Sequence, residues 1–382
     1  MTPRLCRVRL RAALFAAFGL ALLAPALAED AAAPPPCSGR DLAAGADLAE
    51  ARLKRADDLV NAEGLLWRVE RRGLAPSYLF GTVHSTDEHA VALARKAAEF
   101  VAGAKVVATE LGGPFDAVDQ ADMAAKMFAK AIARDQDTFD AALSGERAAA
   151  VEAYLGGRGF PKEMAHHLQL WFLAAAASLP TCEAARAQAG LPEVDQTIAL
   201  AGKGRGLAVV ALESAEEQMD TLAAAPPALF ATMLAASARA PELEDDAYAT
   251  LLRLYRDERP AEMLAVADVT PGLTPEERAA EDTFTRLLLV GRNEVMAARA
   301  APLLAAGGAF IAVGALHLPG KAGLIERFRA AGYRVVSVWR GGDSSRHWLP
   351  RPRTAHRDFT RSWGTRWRER FPTRPKARSS PA

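Results

Sequence analysis

The sequence predicts an α/β protein, with a small, mostly parallel sheet built from two repeated βαβ units at the chain ends and a large helical insertion between them. Three observations lead to this fold class. Short runs of apolar residues alternate with helical segments, which is typical of parallel strands covered on both faces. The middle of the chain has almost entirely helical periodicity. Both ends contain a strand-like run that leads into Gly-x-x-His.

The N-terminus has the pattern of a secretory signal peptide over residues 1–28. Four arginines lie within the first eleven residues, and an uncharged stretch from Ala12 to Ala28 follows. The stretch ends in Ala26-Leu27-Ala28, a small-x-small cleavage sequence. The alternative is an uncleaved anchor helix, but the short apolar core and Pro25 favour cleavage near Ala28. We therefore expect a periplasmic or secreted protein.

Residues 29–62 are predicted to form an Ala/Pro-rich linker and a lead-in helix over Leu48–Val60. Cleavage of the signal peptide leaves Cys37 and Cys182 as the only cysteines of the mature chain. In an oxidising compartment such a pair is a candidate disulfide. Two independent thiols are the alternative, because the sequence does not give the distance between the two Cα atoms.

The predicted α/β domain spans residues 63–340. At its first end, Arg71-Arg72-Gly73 is a plausible turn between two strands, and a helix and a third strand follow. These elements are predicted over Leu65–Val69, Tyr78–Val83, Ala90–Val101 and Lys105–Leu111. Helical insertions cover residues 114–205 and 214–300, separated by a compact apolar strand. The remaining elements are the strand Gly206–Leu212, the strand Ala309–Val313, the helix Lys321–Ala330 and the strand Tyr333–Trp339.

Residues 341–382 are predicted to be a basic disordered tail. They contain eleven Lys or Arg and three Asp or Glu, so the nearly balanced total of 47 basic and 46 acidic residues hides an acidic body. An acidic body would repel phosphate, which argues against nucleic acid as a partner. The tail charge is explained most simply by solubility. Weak contact with the anionic cell-envelope surface through Trp348, Trp363 and Trp367 is the alternative.

Four chemically active side chains are predicted to meet at one edge of the sheet. Gly81-Thr-Val-His84 and Gly314-Ala-Leu-His317 each follow a predicted strand, and Glu110 and Glu213 end two others. Open α/β sheets bind ligands at the carboxyl ends of their strands. If the strands are parallel, two imidazoles and two carboxylates therefore converge there.

Histidine together with carboxylate is a ligand set for zinc, manganese, iron or cobalt. A divalent ion held in this way can polarise a carbonyl group and generate a nucleophile from bound water. A histidine after a strand is also common as a hydrogen-bonding residue, but two histidines in matching frames favour a functional role. The chain lacks an H-E-x-x-H zincin helix and the G-x-S-x-G elbow of serine hydrolases.

Several short segments, taken in their order along the chain, resemble the motifs of the TraB/GumN family, which includes the TIKI metalloproteases. The matching pieces are Leu66-Trp-Arg-Val69, Tyr78-Leu-Phe-Gly81-Thr-Val-His84, Glu110-Leu111, Val194-Asp195, Leu212-Glu213 with Gln218, Leu289 to Asn293 with Met296, and Gly314-Ala-Leu-His317-Leu-Pro-Gly320. The resemblance covers about residues 60–340. It implies a fold related to the erythromycin-esterase and ChaN-like proteins, and a metal-dependent hydrolase site at the two Gly-x-x-His motifs.

The resemblance gives two functional hypotheses. In the first, an exported hydrolase of peptide, amide or ester bonds holds Mn, Co or Zn with His84, Glu110 and His317, while Glu213 acts as base or additional ligand. Arg292 either stabilises developing negative charge or lies on a solvated helix face, and Asn293 hydrogen-bonds a metal-ligating histidine. The second hypothesis is a non-enzymatic protein that binds or sequesters a peptide or small signal. In both, the partner is a peptide or a small acyl compound.

Overall fold

The computed structural model describes residues 34, 36–43, 60–115, 117–133 and 138–339. Two predictions lie wholly outside these residues, the signal peptide over 1–28 and the basic tail over 341–382. Most of the predicted lead-in helix also lies outside them.

A single mixed sheet of six strands organises the described residues. Its strand order is β4-β3-β5-β2-β1-β6. The strands are β1 (Leu66–Glu70), β2 (Ser77–Thr82), β3 (Val106–Thr109), β4 (Ala208–Ala211), β5 (Ala309–Gly314) and β6 (Arg334–Ser337). Strands β4, β3, β5 and β2 pair in parallel, whereas β1 pairs antiparallel with β2 and β6. The prediction of a mostly parallel α/β sheet is confirmed.

The parallel strands end within two residues of one another. Thr82 pairs with Gly314, while Thr109 pairs with both Ala312 and Ala211. The residues that follow these strand ends therefore emerge together at the carboxyl edge. Within the first strand–helix–strand segment, β2 and β3 do not pair, because β5 lies between them.

Helices cover the sheet and form a second, separate core. In chain order they are α1 (Glu88–Ala97), α2 (Ala117–Ala131), α3 (Thr138–Ala142), α4 (Gly145–Gly157), α5 (Lys162–Ala165), α6 (Leu170–Ala177), α7 (Thr181–Gln188), α8 (Val194–Lys203), α9 (Ala215–Ala223), α10 (Pro227–Arg239), α11 (Glu242–Arg256), α12 (Pro260–Met263), α13 (Val266–Val269), α14 (Pro275–Ala306) and α15 (Leu324–Ala330). Short 3-10 helices span Ala98–Gly103 and Ala315–His317.

Three apolar clusters account for most of the packing. On one face of the sheet, α1, α8 and α11 pack against Phe80 and Phe310. On the other, α14 and α15 pack against Leu79 and Ile311. The third cluster lies among the inserted helices, around Phe139. Burial of this apolar surface is the main favourable term in folding.

The strand β4 differs from its prediction. Its sequence is as apolar as that of a strand buried on both faces, yet Ala208 and Ala211 are exposed because β4 is the edge strand. Among the described residues, no single helix is both long and apolar enough to cross a bilayer. Only the pair α9 and α10, bent by 89°, reaches that length and composition together.

Candidate active site at the carboxyl edge of the sheet

The structure brings the four predicted side chains to the same edge. Glu110 directly follows β3, and its carbonyl accepts hydrogen bonds from the amides of Leu212 and Glu213 beyond β4. His317 ends the 3-10 turn after β5. His84 follows β2 by two residues. The parallel register of the strands produces this convergence.

Glu110 is the most heavily bonded group at this edge. Its Oε1 accepts a hydrogen bond of 2.6 Å from the amide of Gly314, and its Oε2 accepts one of 2.7 Å from Arg292. Burial works against a charge on this carboxyl group. The imidazole of His317, the guanidinium of Arg292 and the Gly314 amide outweigh burial and lower the pKa of Glu110 well below its usual range.

The glycines of the two Gly-x-x-His segments allow close approach. A Cβ atom on Gly314 would lie 3.2 Å from Oε1 of Glu110, and one on Gly81 would lie 3.0 Å from the Cα of Ala315. Either atom would push apart two groups that the site needs in contact. Both positions therefore depend on the small size of glycine.

Arg292 is buried between two carboxylates. Its Nε and Nη2 lie 2.8 and 2.7 Å from Oε2 of Glu213, and the same Nη2 also contacts Glu110. Gln218 adds donors to both carboxylates, at 3.4 Å to Glu110 and 3.2 Å to Glu213. The single positive charge of the guanidinium is therefore shared by two buried carboxylates, and its contacts fix the position of both.

Local sequence explains why these groups arrive together. Ser214 and Glu217 form a reciprocal capping box, which starts α9 immediately after Glu213 and turns Gln218 back toward the site. Arg292 and its neighbour Asn293 are carried by α14. Gln218 lies five residues after Glu213 in the sequence and was part of the family resemblance, which assigned it no role.

His317 is buried and held in one tautomer. Asn293 donates through Nδ2 to the carbonyl of Ala322 at 3.1 Å, so its Oδ1 faces Nδ1 of His317 at 2.7 Å. Nδ1 consequently carries the hydrogen, and Nε2 points toward Oε1 of Glu110 at 3.6 Å. Burial and the nearby charge of Arg292 lower the pKa of His317 to about 4, although Glu110 opposes the shift.

His84 differs from His317 both in its exposure and in the direction of its pKa shift. Its side chain is 55% exposed, and its Nδ1 lies 3.2 Å from Oδ2 of Asp195 on α8. Partial burial opposes the charged ring, but the carboxylates of Asp195 and Glu110 outweigh it and raise the pKa of His84 to about 10. Asp195 is itself positioned by the hydroxyl of Thr82, which donates to Oδ1 at 2.7 Å. The contact with Thr82 has no signal in the sequence.

The segment that carries His84 is supported by inserted helices. Arg186 on α7 donates to the hydroxyl and the carbonyl of Thr86, and the carboxylate of Glu183 accepts hydrogen bonds from the Thr86 amide and hydroxyl. A disulfide joins Cys182, at the start of α7, to Cys37, with the Cα atoms 5.3 Å apart.

A small cavity opens beside these residues, with a volume of about 70 Å³. His84, Glu110, Asp195 and Gln218 lie along it. Within the part of the chain that the structure describes, no three His, Cys, Asp or Glu side chains are arranged as a complete metal site. The chemistry of the available donors decides whether an ion suits this edge.

Those donors suit a cation. With Nδ1 of His317 protonated and the ring neutral, the lone pair of Nε2 faces a carboxylate oxygen, so two acceptors oppose each other with no hydrogen between them. A shared cation with bonds of about 2 Å would relieve this opposition. Metal-ligating histidines commonly have the other ring nitrogen held by a carboxylate or a carbonyl-type oxygen, as Asn293 and Asp195 do here.

Comparison with known proteins places the chain in a family. Neither a search of curated proteins nor a search of solved structures finds a match. A family model matches residues 65–337, which include every strand of the sheet and all the residues at its carboxyl edge. The chain belongs to the TraB/PrgY/gumN family.

Proposed function

We propose that the protein is an exported, metal-dependent hydrolase of peptide, amide or ester bonds. In this proposal His84, Glu110 and His317 hold one divalent ion, such as Mn, Co or Zn. Each Gly-x-x-His segment presents one imidazole just beyond the carboxyl end of a parallel strand, β2 or β5. When bound, such an ion polarises a carbonyl group and makes bound water a nucleophile near neutral pH.

The observation that carries the proposal is the fixed tautomer of His317. Its Nε2 faces Glu110 with a lone pair, and burial keeps the ring neutral at neutral pH. A neutral imidazole beside an ionised carboxylate is the state in which both groups act as ligands. No rearrangement of protons is needed at these two positions.

His84 differs because its ring is charged. A ligating imidazole must be neutral, so metal binding would displace one proton from His84. The ring is half-exposed beside the cavity, where an ion and a substrate have access. Asp195 keeps Nδ1 oriented, which leaves Nε2 as the coordinating atom.

Arg292 and Glu213 complete the site as positioning groups in this proposal. The guanidinium restrains Glu110 through Oε2 and leaves Oε1 toward His317. Glu213 offsets the remaining positive charge, and three donor contacts from Arg292 and Gln218 converge on its Oε2. That geometry favours support over a role as general base. The disulfide between Cys37 and Cys182 is consistent with export to an oxidising compartment.

Elemental analysis of the purified chain from residue 29 onward tests the metal site. We expect about one divalent ion per chain in the wild type, and none in His84→Ala/His317→Ala. The matched control is His89→Ala/His167→Ala, which removes two exposed imidazoles that do not line the cavity and should keep the ion. Circular dichroism verifies that both variants fold.

Two results would contradict the proposal. One is a wild-type chain that takes up no ion after reconstitution with Mn²⁺, Co²⁺ or Zn²⁺. The other is an ion that stays bound in His84→Ala/His317→Ala. With an ion present, a peptide-library cleavage screen then distinguishes a hydrolase from a protein that only binds its ligand.

A further inference from the structure

The cavity beside His84 has two chemically different walls. One is apolar and comes from the loop after β3 and from α2: Leu111, Pro114, Phe115 and Met123. The other carries the carboxylates of Glu193 and Asp195 at the start of α8. Ligand sites commonly combine an apolar lining with a few fixed polar groups.

One carboxylate oxygen on the polar wall lacks a hydrogen bond. Oδ2 of Asp195 is buried and accepts none from the described residues, while Oδ1 is taken by Thr82. Its contact with Nδ1 of His84, at 3.2 Å, is a charge contact without hydrogen-bond alignment. A buried acceptor without a hydrogen-bond donor destabilises the fold, so we expect a ligand or a water molecule to donate a hydrogen bond to this oxygen.

The polar wall also carries more negative than positive charge. Glu193 makes no side-chain hydrogen bond or ion pair within the described part of the chain, and burial together with the carboxylates of Asp195 and Glu183 raises its pKa, while His84 opposes the shift. Arg292 is shared by Glu110 and Glu213, which leaves His84 as the cation facing Glu193 and Asp195. The surplus favours a ligand that is positively charged and donates hydrogen bonds.

The size of the cavity limits that ligand. About 70 Å³ holds roughly five water molecules, which is the scale of one small amino-acid residue. A lysine or arginine side chain would need a long channel for its stem before its charge reached the carboxylates. An α-ammonium group lies one carbon from its own side chain, so the two fit opposite walls of a short cavity.

We propose that this cavity binds the amino-terminal residue of a peptide, with its free α-ammonium group on Glu193 and Asp195 and an apolar side chain against Phe115 and Met123. The inference rests on the proposed hydrolase function and deepens it, because it places the first residue of the substrate beside the candidate ion. The substrate class is then a peptide or amino-acid amide with an unblocked amino terminus.

Binding of two small probes tests the subsite without requiring turnover. L-leucinamide has the free amine and the apolar side chain, whereas N-acetyl-L-leucinamide lacks the charge. Titrations followed by NMR on metal-loaded and chelator-treated protein should show L-leucinamide binding at least about tenfold more tightly, because a hydrogen bond to a charged group is lost on acetylation. Glu193→Gln should weaken L-leucinamide by about the same factor and leave the acetylated probe unchanged.

Glu146→Gln is the matched control, since Glu146 is exposed on α4 and does not line the cavity. It should bind both probes as the wild type does. Three results would contradict the proposed subsite. The two probes could bind equally well, or neither could bind. The third is an affinity for L-leucinamide that Glu193→Gln does not change. Metal content, measured on the same samples, reports on the proposed hydrolase separately, so failure of one proposal is distinguishable from failure of the other.

Discussion

The two Gly-x-x-His segments share a sequence pattern and a place at the sheet edge, but their histidines are in opposite states. His84 is 55% exposed and contacts a carboxylate, which keeps its pKa near 10. His317 is buried and contacts the amide of Asn293, and its pKa falls to about 4. Burial and the charge of Arg292 lower the pKa of His317, whereas the effect of burial on His84 is outweighed by Asp195 and Glu110, which raise its pKa. The surroundings rather than the motif therefore set the charge of each ring.

The segments also differ in what supports them. Residues 81–87 are held by α7, α8 and α11, through hydrogen bonds to Gly81, Ser85 and Thr86. Residues 314–317 form a local 3-10 turn whose histidine is held by α14. Disturbing the inserted helices should thus loosen the first segment and spare the second.

Removal of the disulfide should have the largest effect. The bond between Cys37 and Cys182 spans 145 residues, and the variant Cys37→Ser/Cys182→Ser should lose about 4 kcal/mol of the free energy of unfolding. Denaturant titration measures the loss. Hydrogen exchange should rise at residues 84–86 because α7 is released, with little change at residues 312–317. An equal rise in both segments would mean that their supports are not independent.

Arg186→Met should have the next largest effect. The change removes two donors from Thr86, whose amide and hydroxyl also bond to the buried carboxylate of Glu183. We expect a loss of about 3 kcal/mol in the free energy of unfolding, measured by urea titration. Arg205→Met is the control, because Arg205 is exposed and its side chain donates to the carbonyl of Ala201 in the last turns of α8. A cost no larger than that of the control would show that α7 does not hold the first segment.

The sequence predicted the sheet edge well because the relevant signals are local. Runs of apolar residues mark β2, β3 and β5, and a parallel arrangement forces the residues that follow them to one side. His84, Glu110, Glu213 and His317 could therefore be selected together. A hydrogen bond between Asn293 and a histidine of the site was expected from the family resemblance, because a ligating histidine commonly has a partner for its other ring nitrogen.

Other features depend on contacts that the sequence does not encode locally. Asp195 meets His84 across 111 positions of the chain, and Thr82 fixes its orientation. The exposure of β4 follows from its place at the sheet edge, because its composition is that of a buried strand. The protonation of each histidine depends on these same contacts, so it could not be read from the motif.

Lowering the pH should destabilise the helices that hold residues 81–87, but by less than the two preceding substitutions do. Asp246 on α11 accepts hydrogen bonds from the side chain and the backbone amide of Arg40, and these contacts lower the pKa of Asp246. A lowered carboxyl pKa stabilises the fold above the unfolded value of about 3.9, and this contribution is lost as the pH falls through the folded value.

Asp246→Asn should therefore reduce the free energy of unfolding at pH 7, and the difference from the wild type should shrink toward pH 3. Asp122→Asn is the control, because its partner Lys126 is exposed on the same helix. The effect is the smallest of the three, since the Arg40 side chain is 75% exposed and its charge is screened. A difference between Asp246→Asn and the wild type that stayed constant from pH 7 down to pH 3 would show that the contact between Asp246 and Arg40 does not contribute this charge-dependent stability.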